Sequence, residues 1–294
     1  MNLAERLGYG AEERVLILNA DDVGSTHASN AAVFECLAPH GSLTSGSVLV
    51  PSPWAREPAL WAQEHPDADL GIHMTLCCEY TPYRWRPLTD RADGPHLRDA
   101  DGGLWRTSQE VIDNVPAEEA ALELRAQIES ALALGIDVTH LDTHMGTVLQ
   151  PKFIEAYVSL GLEYGIPLFI FRPNPERLKS TGFSAFWDGL EPQLRRLDDA
   201  GFPVLDHVIT DTMGKSREFY LERFSTLRPG VTHFLVHPAK ASEETEALGD
   251  NADLRAHDYE MFRDRSMAEE IDKLGIRTIT YREVREAYRS GTLR

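Results

Sequence analysis

Cysteine is scarce in this chain: three residues, Cys36 and the adjacent pair Cys77 and Cys78, with no C-x-x-C spacing. An odd, unspaced set of thiols argues against a disulfide framework and a thiolate zinc site, and it fits a cytoplasmic protein with reduced thiols. Long apolar runs are missing, so no membrane span is expected. The opening stretch "MNLAERLGYGAEERVLIL" carries scattered charges and no apolar core before a small-residue cleavage site, so it does not read as a signal peptide. Basic residues are outnumbered, 29 against 47 acidic, for a formal net charge of -18. Such a surface repels phosphate backbones and anionic lipid, and no Lys/Arg cluster offsets it; nucleic acid and membrane are therefore not expected partners. Repeats, low-complexity tracts and linker-like Pro/Gly/Ser stretches are absent as well, so residues 1–294 are read as one domain.

What is present is an ordinary folding composition, 42% hydrophobic and 26% charged. Short branched apolar runs recur: "RVLILNA", "GSVLVP", "DLGIHMTL", "VTHLDTH", "IPLFIFR", "HVIT", "THFLVHP" and "RTITY". Helix-like stretches lie between them, including "PAEEAALELRAQIESALALGI", where Pro116 and glutamates open the segment and Gly135 closes it. Strands alternating with helices imply βαβ units and a mostly parallel sheet, and about eight strands in a chain of this size favour a β/α barrel over an open sheet. The stretch over residues 81–105, rich in Pro, Gly, Arg and aromatics, reads as a long loop; loops of that length in compact domains are usually functional or disordered.

Active sites of parallel β/α folds form at the C-terminal ends of strands. There this chain places Asp21 and Asp22 after the first run, His73 at the end of "DLGIH", His140, Asp142 and His144 in "THLDTH", and His237 closing "FLVH". If "THLDTH" is extended, residues 140, 142 and 144 share one face, because side chains alternate with period two. An Asp pair after an apolar run is ordinarily a turn or a cap, and a lone histidine a structural group. Their recurrence at four strand ends points instead to a divalent metal site. Adjacent residues of an ideal strand face opposite ways, so Asp21 and Asp22 can converge only where the strand ends or turns; Gly24 is consistent with such a turn, and Gly71 with close approach of backbone to a ligand.

The order "NADDVG", "GIHMTL", "THLDTH" and "HPA", together with "LTSGSVLVP", "DADGGLW" and a closing "LGIRTITYREV", resembles the YdjC-like family of carbohydrate deacetylases, which includes chito-oligosaccharide deacetylases and hopanoid-associated relatives. The resemblance implies a distorted, TIM-like β/α barrel, one divalent cation, and hydrolysis of an N-acetyl group from a small acetylated sugar. It implies that Asp22, His73 and His144 hold the cation, that Asp21 is the general base and that His237 is the general acid. His140 and Asp142 fall in the motif around the second metal histidine, where a supporting role behind the ligands is implied. Two departures, Gly146 in "DTHMG" and Ala239 in "HPA", bear on the sugar pocket and leave the ligands in place.

These residue types suit amide hydrolysis. A cation with three protein ligands keeps open positions for water and for the acetyl carbonyl oxygen, while a carboxylate and an imidazole move protons. The ligand set of one carboxylate and two imidazoles fits zinc, and also manganese, cobalt, nickel or iron, and the resemblance leaves magnesium open beside zinc. Arg172, in "FIFR", is a candidate to orient Asp21 or bind substrate, with an ordinary salt bridge as its rival. Tyr83, Trp85, Arg86 and Trp105 in the long loop are candidates for sugar contacts, or for packing under the loop. Two other readings remain at this point: a metal-dependent phosphoesterase on the same barrel, and a non-catalytic sugar-binding member. A homodimer is a reasonable prior for a soluble enzyme.

Overall fold

A computed structural model describes residues 1–37, 39–173, 184–249 and 251–294. Within them the branched apolar runs become a parallel sheet: β1 (Arg14–Val23), β2 (Ser45–Val48), β3 (Leu70–Met74), β4 (Leu141–Thr143), β5 (His207–Ile209), β6 (Gly230–Val236) and β7 (Arg277–Thr278). Their spatial order is β4-β3-β2-β1-β6-β5. The longest strand, β1, sits in the middle because it is buried almost throughout and so needs a neighbour on each edge. Strand β6 lines one edge over residues 14–20, while β7 at residues 15–16 and β2 from residue 19 onward share the other.

Two parallel bridges, Leu141 to Leu168 and Phe171 to Leu205, connect the outer strands β4 and β5 and curl the sheet into a distorted β/α barrel. The run "IPLFIFR" was expected as a full strand, and the structure corrects this. Pro167 has no N–H to give a ladder, and the Ile170 amide turns back onto the Leu168 carbonyl at 2.8 Å. What remains is a seam made by the Leu141 amide to Pro167, the Phe169 amide to Leu141 and the Leu205 amide to Ile170.

Alternation along the strands divides the interior in two. Leu16, Leu18, Ile72, Leu141 and Phe234 pack outward against helices such as Ala117–Ala133 and Ile154–Tyr164. Val15, Ile17 and Val231 point into the barrel with Phe169, Leu205 and Tyr281, forming an apolar floor. The inward face of β1 continues through Asn19 to Asp21, so this strand turns polar above that floor, in which the rings of His140 and His233 pack against Tyr281. Helix ends obey the local rules: Pro116 precedes Ala117–Ala133 and Gly135, with φ of 87°, follows it. The long loop contains a short 3₁₀ turn, Pro95–Leu97, and a separate apolar cluster of Leu49, Cys78, Trp85 and Leu104. Gly71 does not serve a ligand: a Cβ there would lie 2.4 Å from the ring of His140, which fills that space. No helix among the described residues is long and apolar enough to cross a membrane.

Asp69, buried at the foot of β3, ties three elements together. Its Oδ1 accepts from Ser45 Oγ of β2 at 2.7 Å and from Thr139 Oγ1 ahead of β4 at 2.8 Å; its Oδ2 accepts the Arg282 amide of the last helix at 2.6 Å. Asp69→Ala leaves these buried donors unpaired and is expected to lower unfolding free energy by about 3 kcal/mol. The shift of the urea midpoint at unchanged slope measures it.

Candidate functional site

Asp22 faces the barrel mouth because β1 breaks its own alternation. Between Ala20 and Val23 the register shifts, with β1 advancing one residue more than β2. Asp22 takes a φ of 62°, a left-handed conformation that aspartate tolerates better than most residues. The bulge turns the Asp22 side chain toward the face Asp21 already occupies. Its Oδ2 accepts from Arg255 at 2.7 Å. Its Oδ1 is buried and makes no hydrogen bond, yet lies 3.4 Å from Nε2 of His73 and 3.3 Å from Nδ1 of His144. One carboxylate oxygen and two imidazole nitrogens, mutually close around an orphaned acceptor, fit a divalent cation.

Each imidazole is held from behind by a carboxylate. His73 and Asp142 are partners in the β3–β4 register, and Nδ1 of His73 lies 2.6 Å from Asp142 Oδ1. His144 sits on a turn whose next residues, Met145 and Gly146, both take positive φ; its Nε2 lies 2.8 Å from Glu79 Oε2. With those nitrogens donating to carboxylates, the opposite nitrogens face Asp22, the arrangement that orients metal-binding histidines. Without a cation, burial alone would lower the pKa of both rings, but Asp142 and Asp21 push His73 up to about 10, and Glu79 with Asp22 pushes His144 well above its usual value. Protons thus occupy the place a cation suits. Burial opposes ionisation of Asp22 too, and Arg255 with the two imidazoles nevertheless holds it far below the usual carboxylate range.

Asp21 is the opposite case. Burial, then the nearby Asp142, pushes it up to about 8. The amide of Asn19 lies between the two carboxylates, donating to Asp21 Oδ1 at 2.8 Å and to Asp142 Oδ2 at 3.2 Å. His237 Nε2 lies 4.0 Å from Asp21 Oδ2, its backbone amide is fixed by Asp258, and its Nδ1 has no partner. Burial is the main cause that pushes it down to about 3, so the ring is neutral here. A second grouping, Asp21, His73 and Asp142, shares His73 with the first and is already joined by the His73–Asp142 contact.

Asp21, Asp22, His73, His144 and His237 therefore line one cleft of about 460 Å³. His140 is buried behind it, with Nε2 3.9 Å from Asp142 and its ring stacked on Tyr281. Arg172 is not brought in. It pairs with Asp198 on the surface, because the turn at residues 168–170 directs the following backbone outward. Trp85 is fully buried under the loop, 5.5 Å between ring centroids from His144, Tyr83 stands edge-on to it, and the Trp105 indole donates to the His96 carbonyl. Arg86 lines an outer cleft with Arg91 and Arg98. None of these four lines the cleft that holds Asp21 and Asp22. Three residues escaped the sequence reading. Asn19 carried a signal, standing two positions before Asp21 on the same strand face. Glu79 and Arg255 carried none: one lies in a loop after β3, the other in the helix Ala252–Phe262, where an arginine ordinarily faces solvent.

Residues 15–273 match the model of the YdjC-like protein family. A carbohydrate deacetylase of Thermus thermophilus is 36% identical, the alignment covering 98% of this chain and 99% of that one. A chitooligosaccharide deacetylase of Salmonella paratyphi B is 31% identical over 61% of this chain and 71% of its own. A crystal structure from Enterococcus faecalis V583, provisionally described as a cellobiose-phosphate cleavage protein, superposes with a TM-score of 0.76 at 24% identity, covering 92% of this chain and 98% of that one, and shares the fold.

Glu79→Ala removes the carboxylate behind His144 without touching a candidate ligand. Calorimetric titration with zinc or manganese is expected to give an affinity about 10- to 100-fold weaker than in the unaltered protein.

Proposed function

The chain belongs to the YdjC-like protein family, and from that premise we propose that it is a metal-dependent deacetylase acting on an N-acetylated amino sugar or short oligosaccharide. The observation that carries this reading is the orphaned Oδ1 of Asp22 facing Nε2 of His73 and Nδ1 of His144. The names of the Thermus and Salmonella relatives support the substrate class.

Asp22, His73 and His144 would hold a divalent cation, which when bound supplies positive charge to polarise an amide carbonyl and to draw down the pKa of Asp21. Asp21 accepts the proton of the attacking water, with its carboxylate held in place by Asn19. His237, 4.0 Å away across the cleft mouth, is the group that delivers a proton to the departing nitrogen. As it is neutral at rest, it must first receive that proton, and Asp21 is the neighbour able to give it. Arg255 occupies the second oxygen of Asp22 and so leaves one oxygen for the cation. Asp142 and Glu79 fix the two rings, and His140 packs behind Asp142. A phosphoesterase reading lacks this support: Arg255, the only Lys or Arg among the described residues of the cleft, is already paired with Asp22.

Two predictions test this. Stripped protein reloaded separately with zinc, magnesium, manganese, cobalt or nickel is expected to release acetate from N-acetylglucosamine or chito-oligosaccharides with at least one cation and with none after chelation. Sugar binding without acetate release by folded, loaded protein overturns the enzyme reading in favour of a binding role. Asp21→Asn is expected to lower turnover by at least about 100-fold while leaving cation affinity within a few-fold, whereas Asp22→Asn should lose both; normal turnover in the first variant removes Asp21 as the base.

A further inference from the structure

Two clefts of opposite character meet at the reactive groups. The one of about 460 Å³ that contains Asp21, Asp22 and His237 has an apolar wall of Leu149, Phe169, Phe171, Val208, Met213 and Leu235. The other, about 530 Å³, is polar in its lining: Tyr80, Thr81 and Asn251 border it, above the buried, mutually hydrogen-bonded hydroxyls of Ser25 and Ser29. They share Glu79, Asn251 and Arg255, so the carboxylate and guanidinium beside the candidate metal ligands form the partition between them.

An amide also has two sides of opposite character when its amine belongs to a sugar. Sugar hydroxyls need donors and acceptors, which the second cleft offers and the apolar wall does not. The acyl substituent is left facing the apolar wall. Acetyl presents a single methyl group, which covers little of a wall built from so many large apolar side chains. Phe171, Val208 and Met213 are only half-buried, so the wall keeps apolar surface in contact with water until something covers it.

We propose that this wall is an acyl-chain pocket and that the preferred substrate is an amino sugar bearing a short straight N-acyl chain longer than acetyl, such as butyryl. The proposal rests on the amide hydrolysis read for this site above and changes the preferred acyl group from acetyl to a longer one. Each further buried methylene raises kcat/KM about fourfold, so N-butyrylglucosamine is expected to exceed N-acetylglucosamine roughly fifteenfold.

The test compares N-acetyl-, N-butyryl- and N-hexanoylglucosamine and the octyl glycoside of N-acetylglucosamine, using cation-loaded protein, with acid release and calorimetric affinity measured side by side. Met213→Gln places an amide in the wall at constant length and is expected to bring the butyryl-to-acetyl ratio down toward one; Val208→Asn repeats the test should the first variant unfold. Acetate release with no gain on lengthening the acyl chain overturns the proposal and leaves the deacetylase standing. A gain for the octyl glycoside alone assigns the wall to the aglycone and overturns it as well. Absence of any acid release, with butyryl still bound more tightly than acetyl, overturns the hydrolase reading and supports the pocket. Equal or undetectable affinities together with no acid release overturn both.

Discussion

Three carboxylates, Asp21, Asp22 and Asp142, are buried at one end of this barrel, and the repulsion among them organises their surroundings. Two like charges about 4 Å apart in a protein interior repel by about 4 kcal/mol, so each carboxylate has a different resolution. Asp22 is neutralised by Arg255, Asp142 by His73, and Asp21 keeps its proton near neutral pH. Asn19 bridges two of them with one amide group. A chain selected for stability alone gains more from apolar side chains at such positions. The retained crowding makes sense when a divalent cation completes the set.

The fold delivers these groups by simple alternation. Every second residue of β1 enters the barrel, apolar at the floor with Val15 and Ile17 and polar toward the C-terminal end with Asn19 and Asp21. The bulge at Asp22 is the single departure, and it converts a pair that would face opposite ways into one that converges. Its left-handed backbone costs on the order of 1–3 kcal/mol, an example of strain placed where chemistry is expected.

Much of this was legible in the sequence because it rests on local periodicity. The strand ends carrying Asp21, Asp22, His73, Asp142 and His144 could be read from apolar runs stopping at polar residues, and the need for a turn at Asp22 followed from strand geometry. What could not be read is what depends on distant packing. Arg255 reaches Asp22 across 233 residues, and nothing in its helix distinguishes it from a surface arginine. Glu79 lies in a loop whose path is set by the buried Trp85 cluster. Arg172 failed for the converse reason: its strand run is broken by a turn, so a residue at an apparent strand end points to the surface. The aromatics of the long loop were ambiguous between sugar contact and packing, and burial decides for packing in the case of Trp85.

The seam at residues 167–171 gives the barrel unequal stiffness. Around most of the ring, neighbouring strands are paired over several residues, whereas among the described residues β4 and β5 are joined by isolated bridges. Elastic compliance concentrates where backbone bonds are fewest. Phe169 and Phe171, which belong to that seam, also form part of the apolar wall, while His73 stands on β3, paired with β2 and β4 on its two edges, and Asp22 occupies the bulge that follows the paired stretch of β1. The molecule is therefore mechanically uneven: His73 stands on a strand held along both edges, while the apolar wall rests on the seam, whose few backbone bonds let it yield to the shape of what it holds.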